Sequence, residues 1–144
     1  MASDDDEIGA GVSAELAEFL RDAVDSRPAR IAPCVCAGCG GRAFAVLVNT
    51  SGAERECSGC GSRAFIADTE EYWNEEDWEG EEPGTAACPC GTEEFEAAVA
   101  FSLGADGSVR WVTVGLRCAG DGFCGVWADW KIDYLPTDHL LTMV

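Results

Sequence analysis

The sequence has very few positively charged and histidine side chains. Of its 144 residues, 9 are Lys or Arg and 27 are Asp or Glu, and Lys131 and His139 are its only lysine and its only histidine. Because affinity for nucleic acid comes mainly from Lys and Arg side chains that neutralise phosphates, the net charge of −18 argues against a conventional nucleic-acid surface. One histidine also excludes a site built on several histidines and supports no convincing catalytic triad or Cys/His pair. We therefore expect a protein that is not an enzyme.

The sequence also lacks long apolar runs and a basic, apolar leader. It begins with an acidic stretch, whereas a secretory signal needs a positive start and an apolar segment. No apolar run approaches the ~20 residues of a membrane span. Nine cysteines without an export signal favour metal thiolates in the reducing cytoplasm over a disulfide framework. The sequence thus predicts a cytoplasmic protein with no membrane association.

Charge and hydrophobic periodicity divide the chain into five segments. The helical spacing of Leu16, Phe19, Leu20 and Val24 predicts an amphipathic N-terminal helix, and the cysteine-rich segments after it read as strand, turn and strand. The expected fold class is α+β, mostly β, with two tandem β modules. The segments are an acidic flexible tail (1–12), the helix (13–30), the first module (31–67), an acidic aromatic spacer (68–85) and the second module with a C-terminal extension (86–144).

The first cysteine group has the spacing of a closed metal site. Cys36-Ala-Gly-Cys39-Gly and Cys57-Ser-Gly-Cys60-Gly are two Cys-x-x-Cys-Gly pairs with 17 residues between them. Each pair can direct two thiolates at one ion, and a hairpin that brings both pairs together completes a four-sulfur shell suited to zinc. The sequence therefore predicts a structural zinc ion held by four cysteines.

A second cysteine group has a less regular spacing. One residue separates Cys88 from Cys90, and five residues separate Cys118 from Cys124. We expect these four cysteines to hold a second zinc ion, and the alternative is a set of free buried thiols. Cys34 either replaces Cys36 as a ligand or is a spare thiol.

The two cysteine-rich segments also indicate an internal repeat. Cys39, Cys60 and Cys90 are each followed by Gly and, five residues on, by Phe. Cys39 and Cys90 are 51 residues apart, which gives the offset of the repeat.

With these paired cysteines and the glycines that follow them, the sequence resembles members of the zinc-ribbon superfamily. The resemblance covers residues 34–66 well and residues 86–130 more loosely. It implies that each segment forms a small β-sheet with one zinc ion held between two cysteine turns. It does not imply a single activity, because zinc ribbons occur in transcription factors, ribosomal proteins, enzymes and adaptors.

The acidic spacer contains three large aromatic residues, Tyr72, Trp73 and Trp78, among nine acidic ones. Either they pack on the β modules or they anchor a partner, with the acidic residues steering a basic protein toward them. The favoured hypothesis is a non-catalytic, zinc-stabilised interaction module of the inhibitor or immunity type that binds a basic protein. Two alternatives stay open: a nucleic-acid-associated ribbon that uses Arg42, Arg55 and Arg63, and a rubredoxin-like iron redox protein.

Overall fold

The computed structural model of the chain describes residues 12–24, 29–36, 38–49, 52–67, 69, 84–132, 137 and 140. Residues 1–11 of the predicted acidic tail and the aromatic residues Tyr72, Trp73 and Trp78 lie outside the described residues. Within the described part, no helix is both long enough and apolar enough to cross a membrane.

The N-terminal helix α1 spans Ala14–Ala23. The Oγ of Ser13 caps it by accepting a hydrogen bond from the backbone N–H of Leu16 at 3.4 Å. The acidic residue Glu15 in its first turn and the basic residue Arg21 in its last turn complement the helix dipole. The apolar side chains of Leu16 and Leu20 are fully buried, as the helical spacing predicts.

In the described part of the chain, eight strands form one antiparallel sheet. The path of hydrogen-bonded neighbours is β4-β3-β2-β6-β7-β8, while β1 pairs with β6 and β5 pairs with β2. This architecture confirms the predicted class, mostly β with one N-terminal helix. The strands are β1 (Ala29–Pro33), β2 (Phe44–Asn49), β3 (Gly52–Cys57), β4 (Arg63–Phe65), β5 (Gly84–Thr85), β6 (Phe95–Leu103), β7 (Val109–Cys118) and β8 (Cys124–Lys131).

The two expected modules are joined inside this single sheet. The β2–β3 hairpin pairs Phe44 with Cys57, and the β6–β7 hairpin pairs Phe95 with Cys118. Phe44 and Phe95 are in turn partners of each other across β2 and β6. The hairpins therefore lie side by side in the same relative register, which is the arrangement expected of an internal repeat.

The sheet has a different apolar cluster on each face. One cluster runs across both hairpins and includes Phe44, Phe95 and Phe101, all fully buried. The other lies beneath α1, where Leu16, Leu20 and Val24 pack on Ile31, Ala98 and Ala100. Small residues in β6 and β7 allow the helix to approach the sheet closely.

Candidate metal centres

Four short turns of similar geometry carry the cysteine pairs, and each begins at a buried cysteine and ends at a glycine. The N–H of each glycine donates to the carbonyl oxygen of the first cysteine at 2.8–3.0 Å, and the glycine φ angles lie between 74° and 98°. Glycine adopts this left-handed conformation without the strain that a Cβ introduces. The turns are Cys36–Gly40, Cys57–Gly61, Cys88–Gly91 and Cys118–Gly122.

The first two turns form the first cluster. The four sulfurs of Cys36, Cys39, Cys57 and Cys60 all lie within 4.8 Å of one another. The sulfurs of Cys36 and Cys60 are 3.5 Å apart, as are those of Cys39 and Cys57. A tetrahedral ion with metal–sulfur bonds of ≈ 2.3 Å separates its sulfurs by about 3.8 Å, so this arrangement could hold a metal ion.

Hydrogen bonds in the first cluster favour thiolates. The backbone N–H groups of Cys39 and Gly38 lower the pKa of Cys36 to about 6, and the Ser62 hydroxyl lowers the pKa of Cys60. The N–H of Gly59 lies 3.3 Å from the sulfur of Cys57 and donates to it.

The crowding of sulfurs has the opposite effect on Cys39. The N–H of Gly41 lowers the pKa of Cys39, but the neighbouring sulfurs of Cys57, Cys60 and Cys36 raise it by more. The net result is a pKa of about 12. Four adjacent thiolates therefore need a cation among them to be stable together.

The other two turns form the second cluster, which contains three cysteines and one aspartate. The ligand atoms of Cys88, Cys90, Cys118 and Asp121 all lie within 4.8 Å of one another. The sulfurs of Cys90 and Cys118 are 3.5 Å apart, and Oδ1 of Asp121 is 3.5 Å from the sulfur of Cys88. The N–H of Gly120 donates to the Cys118 sulfur at 3.3 Å, as Gly59 does to Cys57. This cluster too could hold a metal ion.

The structure does not bring Cys124 into the second cluster, although the cysteine count predicts it as the fourth ligand. Cys124 is the cross-strand partner of Arg117, whose guanidinium contacts Glu15 of α1 at 3.0 Å. Directly opposed residues share a face of the sheet, and the next residue along β7, Cys118, points to the other face. The thiol of Cys124 instead packs against the apolar cluster beneath α1 and lies 3.7 Å from the Gly122 carbonyl oxygen.

A signal for Asp121 is present in the sequence. Cys118-Ala-Gly-Asp121-Gly repeats Cys36-Ala-Gly-Cys39-Gly with aspartate in place of the second cysteine. A comparison restricted to cysteine pairs does not reveal this match.

Cys34 lies outside both clusters, and Cys36 rather than Cys34 joins the first. The Cys34 side chain is 1 % exposed, and its N–H donates to the carbonyl oxygen of Ala97 at 3.0 Å. Burial raises the pKa of its thiol to about 12, which outweighs the lowering by the positive charge of Arg55. All nine cysteines lie in the described part of the chain and are free thiols.

The arginines of the first module are engaged with the protein itself. Arg55 is buried, with its guanidinium carbon 4.9 Å from the centre of the Phe44 ring, and it donates to the carbonyl oxygen of Val35 at 3.3 Å. Arg63 lies 3.7 Å from the carboxylate of Glu56.

No protein-family model matches the sequence, and no similar protein was found among curated proteins or among solved structures.

Proposed function

We propose that the protein is a non-catalytic, zinc-stabilised scaffold of the zinc-ribbon type that presents an acidic segment to a basic protein partner. The observation that carries the metal part of the proposal is the approach of four sulfurs, from two separate turns, to within 4.8 Å of one another in the first cluster. Zinc suits a tetrahedral shell of thiolates and is held by four cysteines in structural sites.

The position of the first cluster favours a structural role over a catalytic one. Four protein sulfurs complete a tetrahedral shell, whereas a catalytic zinc keeps one position for water or substrate. Cys36 and Cys57, the first cysteines of the two turns, are also part of the apolar cluster that runs across both hairpins. Metal bound there would fix the turn before β2 to the turn after β3 and contribute folding free energy.

The distribution of charge supports an interaction role for the rest of the chain. The described residues contain eleven acidic and eight basic side chains, a net charge of −3, compared with −18 for the whole sequence. Segment 68–85 alone contains nine acidic residues and no basic one. Such a concentration of negative charge accelerates encounter with a basic partner, and Tyr72, Trp73 and Trp78 are residue types that anchor interfaces.

The environments of the arginines disfavour the nucleic-acid alternative. Of the three that the first module offers, Arg55 is buried and Arg63 is paired with a carboxylate. Phosphate contacts would have to displace these interactions and overcome the repulsion of a strongly negative molecule.

Elemental analysis of the protein purified without added metal tests the identity of the ion. We expect two zinc ions per chain in a colourless protein. Iron in place of zinc, with the colour of iron–thiolate coordination, would favour the rubredoxin-like alternative and overturn the zinc scaffold.

Affinity capture tests the interaction. The bait is the full chain, and the comparison is between Trp73→Ala/Trp78→Ala and the control Phe123→Ala, which removes an aromatic ring that is 49 % exposed outside the acidic segment. We expect a basic protein to be captured by wild type and control, lost with the double variant and released by salt. Capture that is equal for all three proteins would contradict a role for the segment.

A further inference from the structure

The turn that begins at Cys118 places Asp121 where the other three turns have their second cysteine. In each of the four turns, the residue two positions after the second cysteine, or after Asp121, donates its backbone N–H to the side-chain sulfur or carboxylate oxygen of that residue. The donors are Gly41 to Cys39, Ser62 to Cys60, Thr92 to Cys90 and Phe123 to Asp121. The last of these bonds joins the Phe123 nitrogen to Oδ1 of Asp121 at 3.0 Å.

The contacts across the two clusters follow the same pattern. In the first cluster, each leading cysteine lies 3.5 Å from the second cysteine of the opposite turn. In the second cluster, Cys118 lies 3.5 Å from Cys90, and Cys88 lies 3.5 Å from Oδ1 and 3.7 Å from Oδ2 of Asp121. The Asp121 carboxylate thus replaces a sulfur in an otherwise equivalent arrangement, while Cys124 is on the opposite face of the sheet.

We propose that Asp121 is the fourth ligand of the second cluster, which makes it a site of three sulfurs and one oxygen that binds zinc more weakly than the first and releases it earlier. This inference rests on the proposed binding of zinc at both clusters. Zinc accepts carboxylate oxygen at about 2.0–2.2 Å, but carboxylates suit harder cations, whereas thiolates retain zinc more strongly. The protein then carries one structural and one exchangeable zinc ion.

The test uses the full-length chain and four proteins: wild type, Asp121→Ala, Asp121→Cys and the control Cys124→Ser. Metal-free protein is titrated with Co²⁺, whose sulfur-to-metal absorption increases with the number of bound thiolates, and then with Zn²⁺ in competition with a chelator. We expect two metal ions in wild type and a second site with weaker absorption than the first. Asp121→Ala should lower zinc affinity at that site by at least about tenfold, the smallest effect typical of losing even an outer-sphere partner.

The other two proteins identify the ligand. Asp121→Cys should strengthen both zinc binding and cobalt absorption at the second site, and it keeps the test valid if the alanine variant does not fold. Cys124→Ser should match wild type. Weakened binding in Cys124→Ser with unchanged binding in Asp121→Ala would overturn the role of Asp121 while leaving two zinc ions in place. Wild-type protein that binds no zinc would overturn the proposed function as well.

Discussion

At the scale of single residues, a metal ligand is defined by the turn and the sheet face on which its side chain lies. Cys57 is 2 % exposed, and its sulfur is 3.5 Å from that of Cys39. We expect Cys57→Ser to lower the zinc content from two ions per chain to one, because the serine hydroxyl does not replace a thiolate. Elemental analysis measures the change.

Cys34→Ala is the matched control for this substitution, since Cys34 is equally buried but lies outside both clusters. It should retain two zinc ions. Equal zinc contents in the two variants would contradict the role assigned to Cys57.

The buried thiol of Cys34 also predicts a pH dependence of stability. Its pKa in the folded protein is about 12, compared with about 8.5 in an unfolded chain. Above pH ~8.5 the unfolded chain therefore releases this proton while the folded protein keeps it. The contribution of Cys34 to stability is complete below that pH and is lost progressively as the pH rises toward 12, by up to about 1.4 kcal/mol per unit.

Urea unfolding of wild type and Cys34→Ala at a series of pH values measures this effect. From about pH 7.5 to about pH 10.5, the free energy of unfolding should decline more steeply in wild type than in the variant. Parallel curves would show that Cys34 does not contribute to the alkaline loss of stability.

The structure brings together the four cysteines that the sequence grouped first, because their spacing is a local property of two short turns. The fourth member of the second group, Asp121, could not be found by counting cysteines. Whether Cys124 can reach the other sulfurs depends on its pairing with Arg117 across β7 and β8, and this register places the two residues on the helix side of the sheet. Asp121, which lies in the second cluster in place of Cys124, stands out only when the four turns are compared with one another.

At the scale of secondary structure elements, α1 packs closely on the sheet because β7 has a glycine, without a side chain, beneath Leu20. A Cβ added to Gly115 of β7 would lie 2.6 Å from Cδ2 and 2.9 Å from Cγ of Leu20. We expect Gly115→Ala to destabilise the protein by about 1–3 kcal/mol, because the buried Leu20 side chain or the helix that carries it must shift to make room for the new methyl group. Chemical denaturation measures the loss.

A double-mutant cycle distinguishes this contact from a general effect of alanine. Leu20→Ala removes the atoms that the new methyl group would meet, so the double variant should lose less stability than the sum of the single variants. Gly84→Ala is the control, since a Cβ there meets nothing within 4 Å. Strict additivity would contradict the proposed contact.

The elements themselves were predicted unevenly. The apolar spacing of α1 identified the helix, but the predicted segment 13–30 included residues that belong to β1, Ala29–Pro33. That strand is defined by its pairing with the middle of β6, from Ala29 opposite Ser102 to Pro33 opposite Ala98. A partner nearly seventy residues away leaves no local periodicity in so short a strand.

At the scale of the whole molecule, both clusters contribute cysteines to the same apolar core. Apparent binding free energies of structural zinc, about 10–16 kcal/mol, are comparable to the total stability of a typical domain, about 5–15 kcal/mol. We therefore expect metal removal to abolish the cooperative unfolding transition of the entire sheet. Near-ultraviolet circular dichroism with and without a chelator measures this loss.

Restored zinc should restore the spectrum, which controls for irreversible damage by the chelator. A metal-free protein that keeps the full signal and unfolds at the same temperature would show that zinc does not stabilise the fold. The mostly β class was predictable from composition and turns, whereas the joining of the hairpins was not, because it depends on pairings between residues far apart in the chain, such as Phe44 with Phe95.

Strand β1 of the N-terminal half pairs with β6 of the C-terminal half, and β5 of the C-terminal half pairs with β2 of the N-terminal half. Each half of the chain therefore contains a strand that completes the sheet of the other. We therefore expect that neither half keeps its native structure when it is expressed alone. A protease that cuts the backbone between residues 69 and 84 would produce two fragments that remain bound to each other until the sheet itself comes apart.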